Sequence, residues 1–370
     1  MKGILVFIVM CGCLSGCIQK NEPQNLFRVQ SVLNEYKDSL KGYGIVACIG
    51  DGSQLDTASL GYSFGQEYLC ASTRFCIGSC TKMFTAVTVL KLQEKGLLNI
   101  NDSVYRYLPK HQFIDSTITI KQLLNHTSGL TDILKNGFLN EPVINPNADF
   151  SDAVLFSKID TVSFEKGSRY EYCNTNYFLL AKIIEYATDK SWEMNVKELI
   201  IDQLDLKNTF PYNSNTITDL AHPIIDGIDL HSIPKFGNNK LSQGSGNIVS
   251  NLTDLNTFIR ALLIDKTLLN RSSLELMTSF YSYKNTRSGL GLFEEKFGSR
   301  RLLGHSGRQI SYISYVFADT KTGESIIVLN NNANDVIIDK VFEKLCDMKR
   351  QVRRMILLKL VKSLFANSYR

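Results

Sequence analysis

Residues 79–87 read Ser79-Cys80-Thr81-Lys82-Met83-Phe84-Thr85-Ala86-Val87. A serine followed three residues later by a lysine is a short pattern, and a chain of this composition should contain about one or two copies by chance. The chain contains three, at Ser79–Lys82, Ser163–Lys166 and Ser232–Lys235. The pattern alone therefore identifies no site, and the setting of each copy has to separate them.

The first copy is the one that opens a predicted helix. The apolar residues after it recur at helical spacing and stop before Lys95 and Gly96. The third copy carries a proline where a helix needs a backbone N–H, and the second runs directly into Gly167, so both are predicted loops. In a helix, the three-residue spacing places Lys82 on the same face as Ser79.

This arrangement is typical of a serine nucleophile. A serine hydroxyl attacks poorly until a base takes its proton, and Lys82 can be that base if burial lowers its pKa. The amino terminus of a helix adds positive potential at the hydroxyl of Ser79 and supplies a backbone N–H for an oxyanion hole. The alternative is that Ser79 only caps the helix, and the motif by itself does not exclude this.

Predicted strands lie at both ends of the chain, with helical patterns between them. Strands are predicted at residues 45–49, 57–62, 290–294, 301–303, 312–318 and 325–329, and helices at residues 26–40, 118–124, 177–187 and 336–345. We therefore expect an α/β (α+β) fold, an antiparallel sheet flanked by helices and built from both termini, with an inserted, mostly helical lobe.

Two further motifs follow along the chain. In Tyr172-Cys173-Asn174, a tyrosine beside a cationic lysine can shuttle protons, and a carboxamide can hold a substrate carbonyl. In Gly304-His305-Ser306-Gly307, placed between two predicted strands, a glycine lets a substrate approach a strand edge. Taken singly, the first motif is also compatible with a polar loop before a helix, and the second with a hairpin turn.

The order and spacing of the three motifs resemble the serine β-lactamase and penicillin-binding enzyme superfamily. The resemblance favours the class C-like branch, which includes DD-carboxypeptidases, class C β-lactamases, D-aminopeptidases and related esterases. Three flanking stretches, at residues 96–104, 123–130 and 246–250, also look like that family, and the resemblance covers roughly residues 25–345.

The resemblance implies a role for each matching residue. Ser79 would attack a carbonyl and become acylated, while Lys82 and Tyr172 would share the work of the general base and Tyr172 would protonate the leaving group. The oxyanion hole would be formed by the backbone N–H groups of Ser79 and Arg308. The implied substrate-binding residues are Asn174, His305, Ser306, Gly307 and Arg308.

Some positions depart from the usual pattern of the family. Histidine at 305, where class C β-lactamases usually carry lysine, favours a peptidase or an esterase over a β-lactamase. Cys80 and Cys173 lie inside two of the motifs, and a disulfide between them is possible, but we expect buried free thiols. His126 has the setting of an active-site histidine, yet the resemblance implies a mainly structural loop there.

The two ends of the chain are predicted to lie outside the domain. Residues 1–16 resemble a signal peptide, and Leu14-Ser15-Gly16-Cys17 resembles a lipobox, which implies lipidation of Cys17 and a linker over residues 17–24; a plain signal peptide is the alternative. The domain is expected over residues 25–348, with an α/β lobe at about 25–100 and 240–348 and a helical lobe at about 101–239. Residues 349–370 are predicted to be a basic amphipathic tail that lies on anionic lipid; packing on the domain or partial disorder is the alternative.

Composition limits the class of partner. The net charge is +5, but residues 341–370 contribute an excess of six positive charges, so nucleic-acid binding by the domain is not supported. The histidines are scattered and the cysteines irregularly spaced, so no metal site or cofactor is expected.

We expect an exported, membrane-anchored protein of the cell envelope, monomeric, acting on a small-molecule or peptide substrate. The predicted activity is hydrolysis of D-amino-acid peptides or small esters and amides through an acyl-enzyme. The alternatives are a β-lactamase and a non-hydrolysing sensor of cell-wall fragments or β-lactams.

Overall fold

A nine-stranded antiparallel sheet organises the molecule. The computed structural model describes residues 28–135, 145, 148–212, 220–232, 240–333 and 335–348. Its strands are β1 (Gly44–Asp51), β2 (Gln54–Phe64), β3 (Glu67–Tyr68), β4 (Phe75–Cys76), β5 (Phe210–Pro211), β6 (Ile224–Ile225), β7 (Ile228–Asp229), β8 (Ile248–Ser250), β9 (Tyr281–Tyr283), β10 (Thr286–Ser288), β11 (Phe293–Phe297), β12 (Arg300–Gln309), β13 (Tyr312–Asp319) and β14 (Glu324–Asn330). Nine of them form one sheet in the order β3-β2-β1-β14-β13-β12-β11-β10-β9.

The helices cover both faces of this sheet. They are α1 (Arg28–Asn34), α2 (Thr81–Glu94), α3 (Ile120–Leu124), α4 (Asp152–Ser157), α5 (Asn174–Thr188), α6 (Trp192–Val196), α7 (Asp202–Leu204), α8 (Leu252–Ile259), α9 (Arg271–Met277) and α10 (Asp335–Asp347). None of the helices within the described ranges is long and apolar enough to cross a membrane.

The first and the last of the described strands are neighbours in the middle of this sheet. In the antiparallel pair of β1 and β14, Ile45 lies opposite Asn330 and Asp51 opposite Glu324. Seven of the eight residues of β1 are buried, as expected for a strand with both faces covered. The expected fold class, with a sheet built from both termini, is confirmed.

Two apolar layers hold the sheet and the helices together. On one face, Val29 of α1 and Phe342 of α10 pack in a cluster with the sheet residue Phe317. On the other face, α2 and α8 meet through Phe84 and Phe258, whose rings stack with centroids 3.8 Å apart. The second layer lies beneath the motifs identified in the sequence.

Helix α2 lies in the middle of the second layer. Every residue from Thr81 to Leu90 is buried, although several are β-branched and intrinsically poor helix formers. The polar ones are satisfied: the Thr85 hydroxyl donates to the Gly244 carbonyl at 2.7 Å, and the Thr88 hydroxyl to the Phe84 carbonyl at 2.9 Å. Packing on all sides, not propensity, therefore stabilises this helix.

The boundaries of several predicted elements differ from those in the structure. Residues 304–307, expected between two strands, lie within β12, because their glycines serve close backbone contacts instead of a turn. The strand predicted at residues 290–294 begins only at Phe293; Leu290 and Leu292 are apolar because they are buried in the core. The predicted signal peptide, linker, Cys17 and basic tail lie outside the described residues.

Candidate active site

Ser79 lies in a 3-10 turn, Gly78–Cys80, that leads directly into α2. The turn presses against β12, because a Cβ added to Gly78 would lie 2.6 Å from the backbone nitrogen of Arg308. Gly78 also has a φ of +50°, in the left-handed region that favours glycine. Ser79 itself is only partly buried, so its hydroxyl is accessible to a substrate.

Lys82, one turn further along, is fully buried beneath Ser79. Its Nζ lies 3.1 Å from Ser79 Oγ, 2.8 Å from Asn174 Oδ1 and 2.8 Å from the Ser245 carbonyl oxygen. Burial lowers the pKa of Lys82 to about 7, so near neutral pH the amine is uncharged in a large fraction of molecules.

The contacts of the uncharged amine leave it ready to act as a base. Its two N–H groups are directed at the oxygens of Asn174 and Ser245, which leaves the nitrogen lone pair for the proton of Ser79. The structure therefore brings Ser79, in the turn before α2, and Lys82, in the first turn of α2, into contact, as a nucleophile and its base would require.

Tyr172, two residues before the start of α5, contacts the hydroxyl of Ser79 as well. Its phenol donates a hydrogen bond to Ser79 Oγ at 2.7 Å. Burial raises the pKa of Tyr172 well above 10, so the phenol keeps its proton in the free site. In the free site Lys82 is therefore the better base, and Tyr172 is a proton donor already next to the reacting oxygen.

Asn174, the first residue of α5, is held on both sides of its carboxamide. Its Oδ1 faces Lys82 Nζ, and its Nδ2 donates to Asp132 Oδ2 at 2.9 Å. An amide nitrogen carries two N–H groups, so one remains to bind a substrate carbonyl.

The edge of the site is formed by β12, whose backbone touches the turn that carries the nucleophile. A Cβ on Gly307 would lie 2.0 Å from the Ile77 carbonyl oxygen, so only glycine fits there. This contact brings the backbone of Arg308 beside Ser79, as the expected oxyanion hole requires. The side chain of Arg308 is exposed and donates to the Ala333 carbonyl at 3.3 Å.

Ser306 is arranged differently from its neighbours on β12. It lies opposite Tyr315 in the ladder, and Tyr315 stacks on Phe342 of α10 on the far face of the sheet. Because adjacent strand residues alternate between faces, the Ser306 side chain points away from Ser79. The structure therefore brings only the backbone of Ser306 to the site.

His305 is buried on the site side of β12. Its Nδ1 donates to the Ser306 carbonyl, and its ring lies 6.2 Å from the Tyr172 ring and 4.7 Å from the Phe293 ring, centroid to centroid. Burial and the neighbouring Lys82 lower the pKa of His305 to about 3, so the imidazole is neutral at physiological pH. It therefore offers a hydrogen-bonding nitrogen but no positive charge for a substrate carboxylate.

A loop at residues 126–134 supports the tyrosine motif from behind. His126 accepts a hydrogen bond from the Cys173 backbone at 3.2 Å, and its ring packs 4.6 Å from that of Tyr172. Burial lowers its pKa well below 6.5, so this histidine is a neutral support for the motif. Asp132, further along the loop, contacts Asn174 and was not identified from the sequence.

The two cysteines of the motifs are not bridged. Cys80 Sγ lies 3.1 Å from the His305 carbonyl and 3.2 Å from Ser314 Oγ, whereas Cys173 packs beside His126. All six cysteines in the described part of the chain are free thiols, as expected. Burial raises the pKa of both Cys80 and Cys173 to about 12, which makes them poor nucleophiles.

The second Ser-x-x-Lys copy, Ser163–Lys166, does not form such a site. Lys166 pairs with Asp115 at 2.8 Å, while Ser163 lies near Thr131. The lysine of the third copy lies outside the described residues. Within the described ranges, no cluster of histidine, cysteine and acidic side chains could hold a metal ion.

Comparison with known proteins finds a matching family and several relatives. The sequence model of the family described as Beta-lactamase matches residues 30–338. Protein flp of Staphylococcus aureus (strain MW2) is 27% identical over 285 residues, which are 74% of this chain and 56% of that protein, so the chain spans little more than half its length. Penicillin-binding protein 4* of Bacillus subtilis (strain 168) is 29% identical over 322 residues, 81% of this chain and 70% of that protein.

Solved structures resemble the chain over most of its length. A D-stereospecific amidohydrolase from Streptomyces sp. superposes with a TM-score of 0.76 at 26% identity, over 86% of this chain and 98% of that one. The D-amino acid amidase of Ochrobactrum anthropi SV3, complexed with L-phenylalanine, gives a TM-score of 0.77 at 22% identity, over 87% and 98% of the two chains. This second likeness is one of fold.

Proposed function

Since the chain belongs to the beta-lactamase family, we propose that it hydrolyses D-amino-acid peptides or small esters and amides through an acyl-enzyme on Ser79. The observation that carries the proposal is the pair of short contacts at Ser79 Oγ. One is to the buried amine of Lys82, at 3.1 Å, and the other to the phenol of Tyr172, at 2.7 Å. A nucleophile between a base and a proton donor is the arrangement that acyl transfer needs.

The reaction starts when uncharged Lys82 takes the proton of Ser79 as Oγ bonds to the substrate carbonyl carbon. The carbonyl oxygen becomes an oxyanion that accepts hydrogen bonds from the backbone N–H groups of Ser79 and Arg308. Collapse of this intermediate breaks the bond to the leaving group, which takes a proton from Tyr172, and Lys82 passes its own proton back to Tyr172. Water then attacks the ester on Ser79 by the same route and releases the acid.

The proposed preference for amides and D-amino acids rests on His305 and on the relatives. A neutral His305 does not attract a carboxylate, whether that of a β-lactam or that of a free peptide terminus, so among the proposed substrates it favours amides and esters without that charge. The Streptomyces neighbour is described as a D-stereospecific amidohydrolase, and we extend that substrate class to this chain.

A test of the nucleophile is intact-mass analysis after incubation with a fluorophosphonate or with penicillin. We expect one adduct per chain in the wild type and none in Ser79→Ala. The matched control is Ser163→Ala, which alters another Ser-x-x-Lys copy and should keep the adduct. An adduct that persists in Ser79→Ala would refute the assignment.

A turnover panel tests the substrate class. We expect multiple turnovers with D-amino acid amides, D-Ala-D-Ala peptides or p-nitrophenyl esters, and slower reaction with L enantiomers. Rapid hydrolysis of nitrocefin with none of the others would identify a β-lactamase. A single stoichiometric burst on every reactive compound would identify a sensor that acylates without turnover.

We also propose that the chain is exported and anchored through lipid on Cys17. The support is the sequence of residues 1–17, an apolar segment that ends in a lipobox-like tetrapeptide. This would place the hydrolase at the cell envelope, where peptides that end in D-amino acids are found in the cell wall.

A further inference from the structure

We propose that Asp132 is a positioning residue that fixes the orientation of the Asn174 carboxamide and balances the charge of the Lys82 amine. This inference rests on the proposed serine hydrolysis and adds a residue to it. The hydrogen bonds of Asp132 go to Asn174 and Leu134 and not to the nucleophile. Asp132 acts through Asn174, which contacts Lys82 directly.

The contacts of Asp132 are those of a carboxylate built into the protein. Its side chain is buried, with a relative exposure of 9%. Oδ2 accepts hydrogen bonds from the Asn174 side chain at 2.9 Å and from the Asn174 backbone at 3.2 Å, and Oδ1 accepts one from the Leu134 backbone at 2.9 Å. The carboxylate is thereby bound at the amino terminus of α5, where negative charge is favoured.

Neighbouring contacts hold Asp132 in place. The Ile133 backbone donates to Thr175 Oγ1 at 2.8 Å, and Thr175 Oγ1 donates to the Thr131 carbonyl at 2.7 Å. Ser128 Oγ donates to Asn176 Oδ1 at 2.6 Å. The loop is therefore joined to the first turn of α5 on both sides of Asp132, and the carboxylate has little freedom to move away from Asn174.

The carboxylate determines which way the Asn174 amide faces. With Nδ2 towards Asp132, Oδ1 accepts from Lys82, and both contacts are attractive. In the flipped amide, Oδ1 would face the carboxylate and Nδ2 would face the lysine, and both contacts would be repulsive. Asp132 therefore excludes the flipped form and keeps one N–H of Asn174 for the substrate.

Asp132 also opposes the effect of burial on the base. Its charge raises the pKa of Lys82, whereas desolvation lowers it to about 7. The other titratable groups that interact with Lys82 are Cys80 in the turn before α2, Cys173, Tyr172 and Tyr177 at the start of α5, His126 in the loop and His305 on β12. Burial favours the neutral form of each of these thiols, phenols and imidazoles. Asp132 is therefore the group whose negative charge acts on Lys82.

The test is the pH dependence of Ser79 acylation by a fluorophosphonate, measured from pH 5 to 9 on the full chain. In Asp132→Asn we expect the acid limb to move to lower pH by about one unit, because an opposing charge near the lysine is lost. We expect the plateau rate to fall by up to about 100-fold, because the amide is no longer held in one orientation.

The matched control is Asp254→Asn. Asp254 is also buried and accepts hydrogen bonds from the Asn208 backbone and from Thr209, but it is not among the groups that act on Lys82. This variant should keep the wild-type acid limb even if it is less stable. An acid limb that is unchanged in folded Asp132→Asn would overturn the inference.

A second variant keeps the inference open to refutation if Asp132→Asn does not fold. Asp132→Glu retains the charge but changes its reach, so we expect the acid limb near its wild-type position and a lower plateau. A limb displaced to lower pH in Asp132→Glu would contradict the electrostatic role. Failure of the wild type to acylate at Ser79 would instead refute the proposed function, which separates the two results.

Discussion

Replacing Lys82 by methionine should strongly slow acylation and at the same time stabilise the folded protein. Methionine has a similar length and no charge, so it fills the space that the lysine occupies within the buried α2. The base is lost, and general-base catalysis is typically worth a factor of about 10² to 10⁴ in rate. The stability gain arises because the wild type keeps an ionisable amine where no carboxylate contacts it directly.

The size of the gain follows from the pKa. Burial lowers the pKa of Lys82 from 10.5 to about 7, and each unit corresponds to about 1.4 kcal/mol. Burial of the Lys82 amine therefore lowers the free energy of unfolding by about 4 kcal/mol at pH 7. Methionine leaves the oxygens of Asn174 and Ser245 without their donor, which costs about 1 kcal/mol each. The net gain at pH 7 should be about 2 kcal/mol.

The sign of the pH dependence is fixed by the same values. The folded-state pKa of Lys82 is depressed, so the unfolded chain binds the proton more tightly than the folded one. Stability linked to this group is present above pH 10.5 and is lost as the pH falls towards 7. The desolvation penalty is therefore about 2 kcal/mol at pH 9, and the advantage of Lys82→Met should nearly vanish there.

Urea unfolding of the wild type and Lys82→Met at pH 7 and pH 9 measures this difference. The matched control is Lys182→Met, because Lys182 is also buried but pairs with Asp152 and Glu185, each at 2.8 Å. Loss of a paired buried lysine leaves its partners uncompensated, so the control should be less stable than the wild type. The reasoning is refuted if Lys82→Met is less stable than the wild type at pH 7, or if its advantage does not shrink at pH 9.

Three further predictions concern the strand edge, the thiols and the anchor. Gly307→Ala should lower the acylation rate by at least about 10-fold and destabilise the fold by about 1–3 kcal/mol, since its Cβ would lie 2.0 Å from the Ile77 carbonyl. Stopped-flow acylation and urea unfolding measure these two effects. Wild-type values in both assays would contradict the prediction. Cys70 is the one described cysteine that is not buried, so iodoacetamide should label it in the native protein well before the other described thiols, as peptide mapping would show; equal labelling would be contrary. Cys17→Ser should move the protein from the membrane fraction to the soluble fraction without loss of acylation by the released enzyme, and retention in the membrane would refute lipid anchoring through this residue.

Much of the site could be predicted because its motifs are local in sequence. Ser79 and Lys82 are three residues apart where a turn leads into one helix, and Tyr172 and Asn174 lie where another helix begins, so residue type and spacing carry the information. In the structure, Lys82 lies within hydrogen-bonding distance of both Ser79 and Asn174, and Tyr172 lies within hydrogen-bonding distance of Ser79. The expected sheet built from both termini is likewise visible in the distribution of predicted strands.

What could not be predicted depends on burial and on contacts distant in sequence. Asp132 meets Asn174 across 42 residues, and nothing in either segment alone indicates that pairing. The neutral state of His305 follows from its burial, which its place in a strand does not reveal. The glycines around it were compatible both with a strand edge and with a hairpin turn, since a glycine needed for close backbone contact looks the same in sequence as one needed for a bend.

The pairing of β1 with β14 also bears on when the protein folds during its synthesis. Ile45 pairs with Asn330, so the central ladder remains incomplete until nearly the whole domain has left the ribosome. At about 5–20 residues per second, that delay lasts from about 15 seconds to a minute. Arg308, whose backbone N–H we propose for the oxyanion hole, is also made late, so under the proposed function a nascent chain would be inactive. For the exported protein that we propose, this delay would keep the chain unfolded during the interval in which translocation has to begin.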